Sequence, residues 1–315
     1  MTFRVFVTGA SGFVGQHLVR ALSSEGHSVR ALVHHSPVQA EEIVRGSLEQ
    51  PLADWLAGCD AVVHAGALLD PIHDEARAER VNHRGTVELA KVASKAGVKV
   101  FVFVSSQAAL GFHPGAGLVA PDAPARPTTA YGRSKLEAER ALRDLGALRT
   151  VVLRPPTVYG PGERRNFLAL TRAIASGVFL LPGRGDNRLS FCAVENLCAA
   201  ICWALRADSA QGILHVADEP VRPFRETCNL IAEAVGRRLL PIPFPLPLAR
   251  SVALGLELAL KNPPLSRARL TTLTADCALD TSATQSAGFS PRVTMEQGVR
   301  RTVSWYREAG LLRTP

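Results

Sequence analysis

The chain has 315 residues, 47% of them hydrophobic and 20% charged, which describes a compact globule with one large α/β core, or a core and a smaller lobe, and argues against disorder. Lys and Arg number 36 against 28 Asp and Glu, a net +8, but the basic residues are scattered in nothing longer than pairs such as Arg164-Arg165 and Arg237-Arg238, so no nucleic-acid partner is expected. The longest apolar tract, Ser251 to Leu260, contains Glu257 and falls far short of the roughly 20 residues of a membrane span.

The opening MTFRVFVTG runs straight into an apolar strand, without the core and cleavage site of a secretory signal, so a cytoplasmic location is expected. Next comes VTGASGFVGQHL, with Gly9, Gly12 and Gly15 three apart where a helix should begin. In that context Gly9 permits a tight turn, Gly12 lets the backbone approach a pyrophosphate, and Gly15 lets the helix pack close to the sheet. The pyrophosphate would sit on the helix N-terminus, where unpaired N–H groups and the dipole favour negative charge. Dinucleotide binding by Gly9, Ser11, Gly12, Phe13, Val14 and Gly15 is therefore expected.

The second strand, SVRALV, ends at Val33, where an acidic residue would hold the ribose hydroxyls of NAD. With no carboxylate to repel a 2′-phosphate, and with His34, His35 and Ser36 as donors, NADP(H) is favoured over NAD(H). Arg30 is expected on the other side of the strand. The strand DAVVHAG carries Ala65 at its end, and the helix TVELAKVASKAG leads to the strand KVFVFVSS. Ser105 and Ser106 close that strand, at the edge where open parallel sheets bind ligands, and a hydroxyl there can polarise a carbonyl.

A long Gly/Pro/Ala-rich loop, residues 111 to 129, precedes the helix that opens Tyr131-Gly132-Arg133-Ser134-Lys135. Tyr131 and Lys135 are four apart and share a helical face. A lysine so placed is expected to lower the phenol's pKa from about 10, and the phenol can then exchange a proton with a substrate oxygen. The strand RTVVLRPP follows. Strands separated by helix-length segments imply a Rossmann-type, doubly wound parallel α/β sheet over residues 1–160. Beyond Pro161 the regularity loosens and prolines gather at 241, 243, 245, 247, 263 and 264. Residues 161–315 are expected to form mainly a smaller, discontinuous substrate lobe. Segments near 187–217, LSFCAV and GILHVA, should return to the main sheet. The six cysteines show no CxxC pair and are expected as buried thiols, with no metal site.

Taken together, these residues resemble the extended short-chain dehydrogenases/reductases, which include nucleotide-sugar epimerases, 3β-hydroxysteroid dehydrogenases and dihydroflavonol reductases. The likeness runs through Thr8 to Gly15, Asp60, Asn82-His83-Arg84-Gly85-Thr86, VSS, Tyr131-x-x-x-Lys135, LRPPTVYGPG and the closing GFSPRVTMEQGVRRTVSWYREAG. It implies a catalytic set of Ser106, Tyr131 and Lys135, with Ser106 selected over Ser105 by counting back from Gly111. Tyr131 would act as acid/base, Lys135 would also hold the nicotinamide ribose, and Ser106 would orient the substrate oxygen. Asn82 resembles the family's structural asparagine, and Pro155 belongs to the segment beside the nicotinamide amide. The chain departs from the family at Leu110, a frequent tyrosine, at Ser47 and Asn196, usual acids, and at Leu189, a common arginine of sugar enzymes.

The leading expectation is an oxidoreductase that interconverts a secondary alcohol and a ketone on a hydrophobic small molecule, using NADP(H) or NAD(H). The alternative is a nucleotide-sugar 4-epimerase or 4-keto reductase acting on a UDP-sugar, with Arg164, Arg165 and Arg188 toward the diphosphate. A non-catalytic dinucleotide sensor is a third reading, against which the intact Ser-Tyr-Lys set argues. Oligomeric state is open, homodimers being frequent in the family.

Overall fold

The computed structural model describes residues 2–34, 38–49, 53–69, 75–111, 113, 117–146, 148–177, 179–238, 242–260 and 266–312. Seven strands form one parallel sheet: β1 (Arg4–Thr8), β2 (Ser28–Val33), β3 (Glu42–Arg45), β4 (Ala61–His64), β5 (Val100–Val104), β6 (Arg149–Arg154) and β7 (Gly212–His215). Their order is β7-β6-β5-β4-β1-β2-β3. The order reverses between β1 and β4, which is where a crevice opens beyond the carboxyl ends of the strands.

The longer helices are α1 (Phe13–Ser24), α2 (Gly85–Lys95), α3 (Ala130–Asp144), α4 (Asn166–Ala175), α5 (Val194–Arg206), α6 (Phe224–Ala234), α7 (Leu246–Ala259), α8 (Arg267–Thr274) and α9 (Met295–Glu308). The inner strands are apolar on both sides because both faces are covered. Val5, Val7 and Val102 meet Leu18 and Leu22 of α1 and Leu197 and Ile201 of α5 on one face. Phe6, Phe101 and Phe103 meet Leu89 of α2 and Leu142 of α3 on the other. The expected doubly wound sheet is therefore present.

Two elements differ from expectation. The edge strand β3, Glu-Ile-Val-Arg, is half exposed and has no apolar run, so no strand signal marks it. Only GILHVA returns to the main sheet, as β7. LSFCAV supplies Phe191–Ala193, which pairs instead with Thr157–Tyr159 in a separate two-stranded ribbon. The proline pair 155–156 accounts for this, because two residues without N–H end the β6 ladder and turn the chain away. Around that ribbon Tyr159, Phe167, Phe191, Phe224, Ile231 and Val299 gather into a core distinct from those of the sheet. All six cysteines are buried free thiols. Among the described residues no helix is long and apolar enough to cross a membrane.

Candidate active site

The glycine turn between β1 and α1 is built as its spacing implied. Gly9 has φ +70°, and a Cβ on it would lie 2.7 Å from the Gly66 backbone, in the loop that follows β4 and Ala65. A Cβ on Gly15 would fall 2.0 Å from the Gly9 carbonyl oxygen, so the helix can approach the turn only with glycine there. Gly12 is exposed and a Cβ on it would meet only the Gly9 oxygen, at 3.2 Å. As the N-cap of α1, Gly12 offers no side-chain hydrogen bond to the first turn, which also lacks acidic residues. The helix N-terminus keeps its amide donors and its positive end for an anion, which fits a dinucleotide diphosphate. Ser11 and Phe13 are half buried beside it, Phe13 edge-on to His17, while Val14 and Ala65 pack on the sheet core. His17 Nε2 donates to the Pro161 carbonyl at 2.7 Å, which ties α1 to the GPG segment after β6.

At the far side of the crevice Thr129 caps α3, accepting from the Gly132 amide, so Tyr131 emerges in the first turn. The Asn82 carboxamide exchanges hydrogen bonds with both backbone groups of Leu68, at 2.7 and 3.0 Å, and donates to Ser134 Oγ at 3.2 Å. Ser134 in turn donates to the Tyr131 carbonyl. Asn82 thus pins the first turn of α3 to the loop after β4.

Ser106, just past β5, accepts from the Ala108 amide at 3.1 Å, which leaves its hydroxyl proton to donate, and it lies near enough to the Tyr131 phenol to lower its pKa. Lys135 is buried, with Nζ donating to the Val104 carbonyl at 2.9 Å, over the Phe103 ring at 4.4 Å and 6.0 Å from the centre of the Tyr131 ring. The three residues therefore come together.

The electrostatics correct one expectation. Lys135 does not lower the phenol here: burial pushes Tyr131 up to about 12, opposed by the Ser106 hydroxyl. Burial also brings Lys135 down to about 7, with Glu139 opposing. Both groups lose solvation together, and the ammonium gives a hydrogen bond to a carbonyl rather than to the phenol.

Beneath this set lies a polar network that the motifs did not announce. Glu139, one helical turn past Lys135, is held by Arg154 at 2.9 and 2.5 Å and accepts from Ser105 Oγ. Ser105 faces inward and Ser106 outward. His64 bridges Thr8 Oγ1 at 2.6 Å and Thr86 Oγ1 at 2.8 Å, tying the ends of β1 and β4 to α2, and burial holds it neutral. Gln107, directly after Ser106, donates to the Cys277 carbonyl at 3.1 Å, so the segment after α8 flanks the serine. The i, i+4 spacing of Lys135 and Glu139 was the available signal for the network; nothing local in the sequence pointed to Cys277.

At the adenosine end Val33 is buried at the tip of β2 and His34 is exposed. His35 and Ser36 lie outside the described residues. Arg30 points away, as expected, to Glu42 at 2.6 Å and to the Trp55 and Ala57 carbonyls. Arg45, exposed at the end of β3, stands in register with Val33 and was not anticipated. Pro155 is buried at the end of β6, its carbonyl accepting from the Gln107 amide at 2.8 Å. The Asn196 amide, in place of an acid, donates to Asp218 and to the Val293 carbonyl, while its oxygen accepts from the amides of residues 292 and 293.

Comparison with known proteins gives the same assignment. The model of the NAD dependent epimerase/dehydratase family matches residues 5–217. The chain is 32% identical to a ceramide reductase of Caulobacter vibrioides, over 98% of this chain and 96% of that protein. It is 31% identical to the 4-hydroxy-2-methyl-3-oxo-4-farnesyl-3,4-dihydroquinoline-1-oxide ketoreductase of Stigmatella aurantiaca, over 94% of each. The solved structure of MoeE5 in complex with UDP-glucuronic acid and NAD superposes with a TM-score of 0.76 at 26% identity, covering 97% of this chain and 99% of that one. With its glycine turn, reversed strand order and edge chemistry accounted for, the chain belongs to the NAD dependent epimerase/dehydratase family, as an NAD(P)-dependent enzyme of the extended short-chain dehydrogenase/reductase type.

Proposed function

We propose that the protein is a reductase or dehydrogenase interconverting a ketone and a secondary alcohol, with Tyr131 as the acid/base. The observation that carries this reading is the meeting of Ser106, Tyr131 and the buried Lys135 at the sheet edge that also holds the uncapped N-terminus of α1. In the reducing direction the Tyr131 hydroxyl gives its proton to the substrate oxygen, and the Ser106 hydroxyl donates to the same oxygen. A phenol pushed up to about 12 keeps that proton at neutral pH, which suits the reducing direction. Lys135 holds the nicotinamide ribose. When bound, the nicotinamide supplies or accepts the hydride at its C4.

NADP(H) is the favoured coenzyme. Glu41 and Glu42 lie at the amino end of β3, Glu42 tied to Arg4 and Arg30, so neither reaches the tips of β2 and β3. Exposed His34 and Arg45 stand there instead and favour a 2′-phosphate. A hydrophobic substrate is favoured by two relatives whose names give lipid-like substrates, a ketoreductase of a farnesyl dihydroquinoline oxide and a ceramide reductase. The second reading, turnover of a UDP-sugar, draws on the likeness to the complex with UDP-glucuronic acid and NAD. Arg188, one of its three arginines, is paired with Asp276.

The test is to release and identify any bound coenzyme from the purified protein, then follow oxidation of NADPH and NADH with long-chain ketones and with UDP-sugars. Faster NADPH oxidation with apolar ketones is the expected result. Tightly retained NAD with turnover of UDP-sugars alone would reverse the assignment.

A further inference from the structure

The helix α7 is built inside out. Its buried residues are Ala249 and Ala253, whereas Leu248, Val252, Leu254 and Leu258 are exposed, Leu258 at 82%. At 100° per residue those four fall on one arc of roughly 160°, opposite the two alanines. With Leu260 they make five of the eight large apolar side chains exposed among the described residues. Gly255 lies on the same arc, and a Cβ on it would meet nothing within 4 Å, so the face is open. A surface helix of a globular protein shows the reverse arrangement, apolar inward and polar outward.

The sequence flanking this helix is also basic. Residues 237–276 hold six basic residues, Arg237, Arg238, Arg250, Lys261, Arg267 and Arg269, against Glu257 and Asp276, which is a surplus of four charges in a chain of net +8. Glu257 is itself taken up by Arg267, at 2.7 and 2.8 Å. At 14 residues α7 reaches about 21 Å, too short to span a bilayer core. A short helix with an outward apolar face in a basic setting matches an element that lies within a lipid–water interface, where apolar burial and attraction to anionic headgroups add. The same positive surplus would repel a second copy of the chain.

We propose that α7 docks the protein on anionic membrane surfaces, with the exposed Leu and Val face entering the headgroup boundary. From α7 the chain runs through α8 to Cys277, which meets Gln107 beside Ser106. The proposal stands independently of how the active site is read.

The experiment is co-sedimentation of the full chain with vesicles of phosphatidylcholine, with and without phosphatidylglycerol. Binding about tenfold stronger to the phosphatidylglycerol vesicles, and reversed by salt, is the expected result. A Leu254→Ser/Leu258→Ser variant should lose about tenfold or more of that binding, with thermal unfolding and coenzyme binding unchanged. Arg250→Glu, which leaves the apolar face intact, should weaken binding in low salt and less so in high salt. Wild-type protein left in the supernatant with both vesicles, or a double variant that binds as well as wild type, would overturn the proposal. So would a dimer in sedimentation velocity that the double variant dissolves, since a second copy would then cover the face.

Discussion

Arg154 holds Glu139 with two nitrogens, Nε to Oε1 at 2.9 Å and Nη2 to Oε2 at 2.5 Å, and both side chains are almost wholly buried. Taking either one away strands the other's charge inside the protein. Glu139→Leu and Arg154→Met should each destabilise by about 3–5 kcal/mol, while the double variant should cost clearly less than the sum. Chemical denaturation of the four proteins checks this, and additive losses would show that the pair is not coupled. Glu139 also supports the Lys135 proton against burial. In Glu139→Gln, Lys135 should therefore lose its proton at a pH below the present value of about 7, displacing the pH–rate profile in the acid direction.

The glycine turn separates a packing role from a binding role. Gly15→Ala would place a methyl 2.0 Å from the Gly9 oxygen and 2.7 Å from Ala10 Cα, all of it backbone. It should cost several kcal/mol, of the order seen for overpacking or more, and lower the melting temperature. Gly12→Ala meets only the Gly9 oxygen at 3.2 Å. It should fold nearly as well as wild type and yet bind coenzyme at least about tenfold more weakly, because the methyl stands where the diphosphate approaches. Melting curves and NADPH fluorescence titrations of both variants distinguish the two effects. Equal loss of stability in both would remove the distinction.

What could be read from the residues follows from how local each signal is. The apolar runs of β1, β4, β5 and β6 and the Gly9, Gly12, Gly15 spacing are short-range patterns, and they placed the sheet and its carboxyl edge. Tyr131 and Lys135 are related by a single helical turn, so their common face was legible. Their electrostatics were not, because the depth of burial that raises one and lowers the other comes from Phe103, Val104 and the packing of α3 on β5. The edge strand β3 carries no apolar run, and Arg45 gained meaning only from its register with Val33. Asn196 read as a missing acid, yet its amide needs both a donor and an acceptor to join Asp218 to residues 292–293, which a carboxylate cannot supply.

Tyr131→Phe removes one hydroxyl beside Ser106 and leaves the ring in place. The variant should retain its melting temperature to within a few degrees and its coenzyme affinity, while kcat falls by about 10²–10⁴-fold, the usual contribution of a positioned acid/base. Ketone reduction under saturating NADPH is the measurement. A Phe variant with undiminished turnover would require another proton donor, and Tyr131 would then have only a packing role.

His215, at the end of β7, is fully buried; its Nδ1 donates to the Asp280 carbonyl at 3.1 Å and its Nε2 has no partner. Burial, with Arg154 adding repulsion, lowers its pKa from 6.5 to about 4. Between those two values the unfolded chain binds a proton at this position that the folded chain refuses. Stability should therefore be fully retained above about pH 6.5 and fall as the pH drops toward 4, by about 3 kcal/mol from this residue. A His215→Gln variant, whose amide can still donate to the Asp280 carbonyl, should show a flatter stability profile over that interval, whatever its stability at neutral pH. Urea denaturation at steps between pH 7 and 4 measures both slopes. Identical slopes in the two proteins would mean that His215 is protonated as readily in the fold as outside it, and that the unpartnered Nε2 finds an acceptor when the pH falls.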